Sequence, residues 1–125
     1  MEGKYIKLGE LEVYRKAVKL SDIGWAIYEK LNWQDKKIFG DQFIRATNSC
    51  AANIAEGYGR YHYLDRIKFY YNGRASLLES KHWFFIMRRR NKVTQEELTK
   101  FLKEADSVHL QLNIYIKSCY KNKQK

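Results

Sequence analysis

No proline occurs anywhere in the 125 residues. Proline breaks the helical hydrogen-bond ladder, so a chain without it is free to run in long uninterrupted helices. The apolar residues follow that option. Between residues 8 and 31, Leu11, Tyr14, Val18, Trp25 and Tyr28 recur at three-, four- and seven-residue spacing, with Val13, Ala17, Leu20, Ile27 and Leu31 as an adjacent stripe. That period belongs to an amphipathic helix with one broad apolar face. Asn32, Gln34 and Asp35 interrupt it. A second helix is predicted over 37–56, on Phe39, Phe43, Cys50 and Ile54 with Ala46 and Ala51 beside them. Small residues through its middle (Ala46, Ser49, Ala51, Ala52, Ala55) invite a neighbour to approach closely. Gly57 and Gly59 are expected to end it, because glycine readily takes the left-handed conformation of a helix stop. A third helix is predicted over 63–90, with Leu64, Ile67, Tyr71, Leu78 and Phe85 on its inward face and Asn91-Lys92 closing it. The fourth covers 94–119, where Thr94 and Glu97 are spaced as a capping box and Val93 and Leu98 as its hydrophobic staple. No segment alternates as a strand. The expected fold is all-α: one domain over residues 1–125, an antiparallel up-down four-helix bundle.

One run does not fit a lone bundle. Trp83-Phe84-Phe85-Ile86-Met87 is apolar throughout, and at about 100° per residue its side chains point all round the helix. Some of them are expected to meet another subunit or to form an exposed aromatic patch.

The formal net charge is +10, and its distribution matters more than its size. Residues 60–92 hold nine basic and two acidic side chains, a net of +7. A concentrated excess is the footprint of a phosphate-binding surface. Within it Arg74, Lys81 and Arg88 are spaced by seven and share one helix stripe. Arg88-Arg89-Arg90 and Lys92 cluster at one end of the stripe, and Arg60, Arg66 and Lys68 lie at the other. Only Asp65 and Glu79 are near in sequence to neutralise it. Phosphates along a nucleic-acid backbone would do so, with a salt-dependent affinity. Tyr63, Tyr70, Tyr71 and Trp83 are interleaved with these cations; where exposed they can stack on bases, and otherwise they belong to the core. On the second helix, Arg45, Asn48, Ala52 and Glu56 fall on one face, either as contacts to a neighbouring helix or subunit or as a solvated surface.

Enzymatic chemistry finds little footing. No Ser/His/Asp or Cys/His arrangement has a local context, and His62, His82 and His109 share no ligand spacing. Glu79-x-x-His82 is a single copy of an element that di-iron bundles need twice. No catalytic residue, metal or cofactor is expected. Cys50 and Cys119 sit at apolar helical positions and read as small core residues in a reducing compartment. No stretch is long enough for a membrane span, and Met1 to Tyr5 has no apolar signal region. The expected address is the cytoplasm. The tail from Lys121 to Lys125 reads as polar, basic and frayed.

The run Ser49 to Arg60 contains Asn53-Ile54-Ala55-Glu56-Gly57-Tyr58-Gly59-Arg60. It resembles the Asn-Ile-Ala-Glu-Gly-x-Gly-Arg motif of a bacterial four-helix-bundle family. That family includes proteins encoded in intervening sequences of large-subunit ribosomal RNA genes and the accessory variability determinant of diversity-generating retroelements. Leu11 to Ala17, Phe43-Ile44-Arg45-Ala46 and Gly73 to Ser80, with Glu79 on a motif glutamate, are similar to further segments of the family. Tyr14, Ala51 and Leu77 depart from it, standing where the family commonly has tryptophan, proline and glutamate. The resemblance implies an antiparallel four-helix bundle assembled as a ring-shaped homopentamer. It also implies a basic surface for nucleic acid and, as a partner, a reverse transcriptase. It marks Arg45, Asn53, Glu56, Gly57, Gly59, Arg60 and Glu79 as structural or interface positions.

Two functional expectations follow. One is a non-enzymatic scaffold contacting RNA or DNA phosphates through Arg74, Lys81, Arg88, Arg89, Arg90 and Lys92, supported by Arg60 and Arg66. The other is a protein-interaction adaptor, for example for a reverse transcriptase.

Overall fold

The computed structural model describes residues 6–122. Met1 to Tyr5, where a signal peptide would begin, and the last three residues of the basic tail lie outside the described residues. Four long helices carry the described chain: α1 (Glu12–Lys30), α2 (Asp41–Tyr58), α3 (Tyr63–Arg89) and α4 (Gln95–Lys121). No strand occurs among the described residues.

Each helix packs on its neighbours in chain order, and α4 closes back on α1. The cross-helix contacts give their directions. Ser21 and Tyr28 of α1 bond Asn48 and Asp41 of α2. Thr47 of α2 bonds Ser80 of α3, and Gly57 faces Tyr70. Arg74 and Lys81 of α3 reach Asn113 and Asp106 of α4. Lys19 and Lys30 of α1 pair with Glu104 and Glu97 of α4. In every pair one number rises as the other falls, so neighbouring helices run antiparallel.

The core is a stack of phenylalanines from three helices. Phe84 stacks on Phe101 at 4.4 Å between ring centres, and Phe43 lies 5.3 Å from Phe101 and 6.1 Å from Phe84. All three are fully buried. Offset and tilted ring pairs of this kind add to the area they bury. On α1 the buried set is Val13, Ala17, Leu20 and Ile27, from the second of its two predicted stripes, together with Gly24.

The structure corrects several helix ends. The residues that interrupt the apolar period after α1 restart the helix instead. Asn32 is an N-cap whose side-chain oxygen accepts from the Asp35 amide at 2.8 Å. A helical turn (Trp33–Asp35) and a π-helical turn (Lys36–Gly40) then lead into α2. The start of α1 also moves: Leu8–Glu10 is a separate 3-10 turn. At the far end of α2, Gly57 and Tyr58 are helical, and Gly59 has φ −79°. Neither glycine is left-handed. Gly57 is needed for space, since a Cβ there would lie 2.9 Å from the Tyr70 ring. Gly73 serves the same contact from α3, where a Cβ would stand 3.3 Å from the Cys50 carbonyl oxygen. The predicted capping box at α4 forms, with Glu97 N–H donating to Thr94 Oγ1 and Thr94 N–H to Glu97 Oε1.

The inward face of α3 is the largest correction. Its buried residues are Ile67, Tyr70, Gly73, Leu77, Ser80, Phe84 and Met87. Of the predicted face only Ile67 is buried; Leu64, Tyr71, Leu78 and Phe85 are 52%, 38%, 50% and 41% exposed. Two heptad-spaced apolar stripes run side by side on this helix, one residue apart: Leu64, Tyr71, Leu78 and Phe85 outward, and Tyr70, Leu77 and Phe84 inward. Apolar content does not separate the two. The inward stripe is flanked by Gly73 and Ser80, small residues that let α3 approach α2 closely.

Candidate nucleic-acid interface

At the end of α3 the chain turns through a left-handed asparagine, Asn91 at φ 59°. The Lys92 amide donates to the Met87 carbonyl at 2.9 Å and the Asn91 amide to Arg88 at 3.0 Å, which is the Schellman pattern. Asparagine is among the few side chains that tolerate this conformation. The turn leaves Arg88, Arg89 and Arg90 exposed on the tip of the bundle. No acidic residue among the described ones forms an ion pair with them. Lys92 differs: it pairs with Asp35 of the α1–α2 connection at 2.9 Å.

The middle of the predicted stripe is less available than its spacing suggests. Lys81 is largely covered and pairs with Asp106 of α4 at 2.8 Å. Arg74 donates to Asn113 at 2.6 Å and lies over the Tyr71 ring at 4.8 Å. These partners come from α4, distant in sequence, so counting nearby acids misses Asp106. The same geometry acts on His109. Burial first, and then the charges of Lys81 and Arg74, hold its imidazole below the usual histidine range.

At the opposite end, the α2–α3 connection carries Arg60 and Arg66. Arg60 pairs with Glu56 at 2.6 Å and covers the Phe69 ring at 4.7 Å. Arg66 Nη1 donates to the carbonyls of Arg60 at 3.2 Å and Tyr61 at 2.5 Å. Beside them opens a cleft of about 870 Å³, between Leu11, the 58–63 segment, Arg66, Tyr70 and the last turns of α4. Of the four aromatics considered for stacking, Tyr70 is buried, and Tyr63 and Trp83 are half-buried. Tyr71 is exposed but already covered by Arg74. Tyr61, Tyr115 and Cys119, which sequence reasoning does not single out as site residues, also line the cleft. Three tyrosines within six residues, at 58, 61 and 63, are the signal that could have found it.

Of the motif residues, Gly57 and Asn53 lie where α2 meets α3, and the others lie on the surface. Asn53 donates to the Ser49 carbonyl at 2.9 Å and sits against Gly73. Asn48 bonds Ser21 of α1, while Arg45 is exposed on the same face. Glu79 is exposed and accepts from Trp83 Nε1 at 3.4 Å. Among the described residues no group of three or more His, Cys, Asp or Glu could hold a metal. Both thiols are free, and burial pushes Cys50 up to about 12. No helix among the described residues is long and apolar enough to cross a membrane.

The model of the 23S rRNA-intervening sequence protein family matches residues 9–114, nearly the whole bundle. The chain belongs to that family. A protein of unknown function from the S23 ribosomal protein family of Bacteroides thetaiotaomicron has a similar crystal structure, with a TM-score of 0.79. The two are 21% identical over 85% of this chain and 96% of that one, a likeness of fold. No curated protein matches the sequence. In this member of the 23S rRNA-intervening sequence protein family, then, the motif from Asn53 to Arg60 seats α2 against α3 and leads directly into the tyrosine-lined cleft.

Proposed function

We propose that the chain is a non-enzymatic, cytoplasmic scaffold that binds RNA or DNA through backbone phosphates and assembles with copies of itself. The observation that carries this reading is the exposed Arg88-Arg89-Arg90 tip, which has no ion-pair partner among the described residues. Three guanidiniums held close together repel one another unless an anion lies across them, and arginine suits phosphate by its forked geometry. Arg66 at the other end and Arg74 in the middle are held by uncharged groups and keep their charge, while Arg60, Lys81 and Lys92 contribute less because each is paired with a carboxylate. Self-assembly is supported by the outward stripe of Leu64, Tyr71, Leu78 and Phe85, of which Tyr71 lines a groove of about 500 Å³ together with the exposed Leu110 and Ile114 of α4. The ring-shaped homopentamer implied by the family resemblance would cover such a stripe.

Binding of RNA and DNA measured across a salt series tests the reading. Affinity is expected to fall steeply with salt. The combined substitution Arg88→Gln, Arg89→Gln, Arg90→Gln is expected to flatten the logarithmic slope by up to about 2.7, at roughly 0.9 for each duplex phosphate that is no longer neutralised. A flat salt response, or no binding at low salt, removes the proposal. The apolar stripe also supports a second reading, an adaptor for a reverse transcriptase or another acidic protein. A stable complex with such a partner, formed equally by the triple variant and without nucleic acid, would favour it.

A further inference from the structure

We infer that the cleft between the α2–α3 connection and the end of α4 is a nucleotide site, taking a planar base among its tyrosine rings and a phosphate at Arg66. The assignment rests on the nucleic-acid reading above, but it concerns a place one helix length away from the arginine tip. Its chemistry is asymmetric. Among the described residues two arginines and a histidine line it, and no carboxylate does. A ligand that fills it therefore meets positive charge at the rim and no acidic side chain on the wall.

The wall itself is aromatic. Tyr70 and Tyr115 meet edge to face at 6.4 Å, and His62 stacks on Tyr63 at 5.4 Å with 20° between planes. Tyr61 stands almost fully exposed beside them. Burial pushes the hydroxyls of both Tyr70 and Tyr115 above the usual tyrosine range, and because Tyr70 is buried the rings open to a base are those of Tyr61, Tyr63 and Tyr115. Stacking on such rings holds any base, because every base has a π-face. The charged part of the site is pre-set. The two backbone carbonyls fix the Arg66 guanidinium, which has no ion-pair partner among the described residues. A cation already held by neutral groups keeps its charge available for an anion. The remaining candidate at the rim, Arg60, is engaged by Glu56 and contributes less. At about 870 Å³ the cleft lies within the range of sites that hold small ligands, roughly 300–1,000 Å³. A base joined to a phosphate is the ligand that uses both walls. It could arrive as a free nucleotide or as the unpaired end of a strand.

Cys119 lines this cleft, whereas the other thiol, Cys50, is buried in the core. Alkylation of Cys119, followed by mass spectrometry on the whole protein, therefore reads occupancy. AMP and a single-stranded adenine octamer serve as probes. Protection by AMP assigns the site to free nucleotides as well as strands, and protection by the octamer alone assigns it to strand ends. In either case Tyr61→Ala and Arg66→Gln are expected to raise the concentration for half-protection about tenfold, with the helical circular dichroism unchanged. The triple arginine variant at the tip should leave AMP protection as it was. No protection by either probe overturns the inference, and so does protection that survives Tyr61→Ala and Arg66→Gln at full strength. Salt-dependent binding of nucleic acid with no protection of Cys119 would sink the cleft and leave the scaffold reading standing.

Discussion

Gly57 and Gly59 look interchangeable in sequence, and the structure separates them. Gly57 is buried where α2 touches α3, and a methyl group there would press on the Tyr70 ring and on Phe69 Cβ. Gly59 has an ordinary helical φ, with nothing nearer than 3.6 Å to an added Cβ. Gly57→Ala should therefore destabilise the fold by about 1–3 kcal/mol, the usual range for overpacking. Gly59→Ala should be neutral or stabilise by up to about 1 kcal/mol, through reduced freedom in the unfolded chain. Urea denaturation of the two variants checks the pair, and equal destabilisation would show that both glycines serve the turn. The sequence motif marks both positions as special, but only the tertiary contact says which one packs. Asn91 shows the opposite case. Its place just after a run of helix formers makes the stop legible, since asparagine at that position has a local reason to be there.

Between elements, α2 and α3 carry the tightest seam, and it contains a buried polar contact. Thr47 Oγ1 and Ser80 Oγ lie 2.6 Å apart with no exposure, and Thr47 also bonds the Phe43 carbonyl at 2.7 Å. Thr47→Val leaves the Ser80 hydroxyl without that partner, at an expected cost of about 1–3 kcal/mol in stability. Adding Ser80→Ala should recover part of it, because two apolar groups need no partner. A double-mutant cycle by chemical denaturation measures the coupling, and strictly additive effects would show that the hydroxyls do not act as a pair. This seam also explains what is legible in the helices. Long periodic stretches locate all four, and the α4 capping box can be read residue by residue. The face of α3 cannot, because Leu64, Tyr71, Leu78 and Phe85 on the outward side are as apolar as Tyr70, Leu77 and Phe84 on the inward side. Hydrophobicity leaves those stripes level, and contact with α2 through Gly73 and Ser80 decides between them.

For the molecule as a whole, the outward apolar stripe and the basic groups divide the surface of α3 between them. Leu78 lies one turn from both Arg74 and Lys81, and Leu110 of α4 is 61% exposed. Single exposed apolar residues are common, but an aligned set that shares a groove with a second helix marks an interaction surface. Leu78→Glu combined with Leu110→Glu is expected to convert an oligomer to monomer with helix content unchanged, as read by light scattering and circular dichroism. A wild-type chain that is already monomeric at micromolar concentration would contradict this. Part of the candidate site is visible in the sequence, namely the +7 excess over residues 60–92 and its arginine cluster. The pairing of Lys81 with Asp106 and the gathering of Tyr61, Tyr70 and Tyr115 are not, since both join residues from distant parts of the chain.

The length of α3 sets a limit on what the two ends can share. Its 27 residues, at about 1.5 Å each, set the tyrosine cleft and the arginine tip roughly 40 Å apart. The helix therefore works as a ruler. A ligand engaged at both places at once must cover that distance, about 12 base pairs of duplex at roughly 3.4 Å per step. Anything shorter can hold one end of the molecule or the other, never the two together.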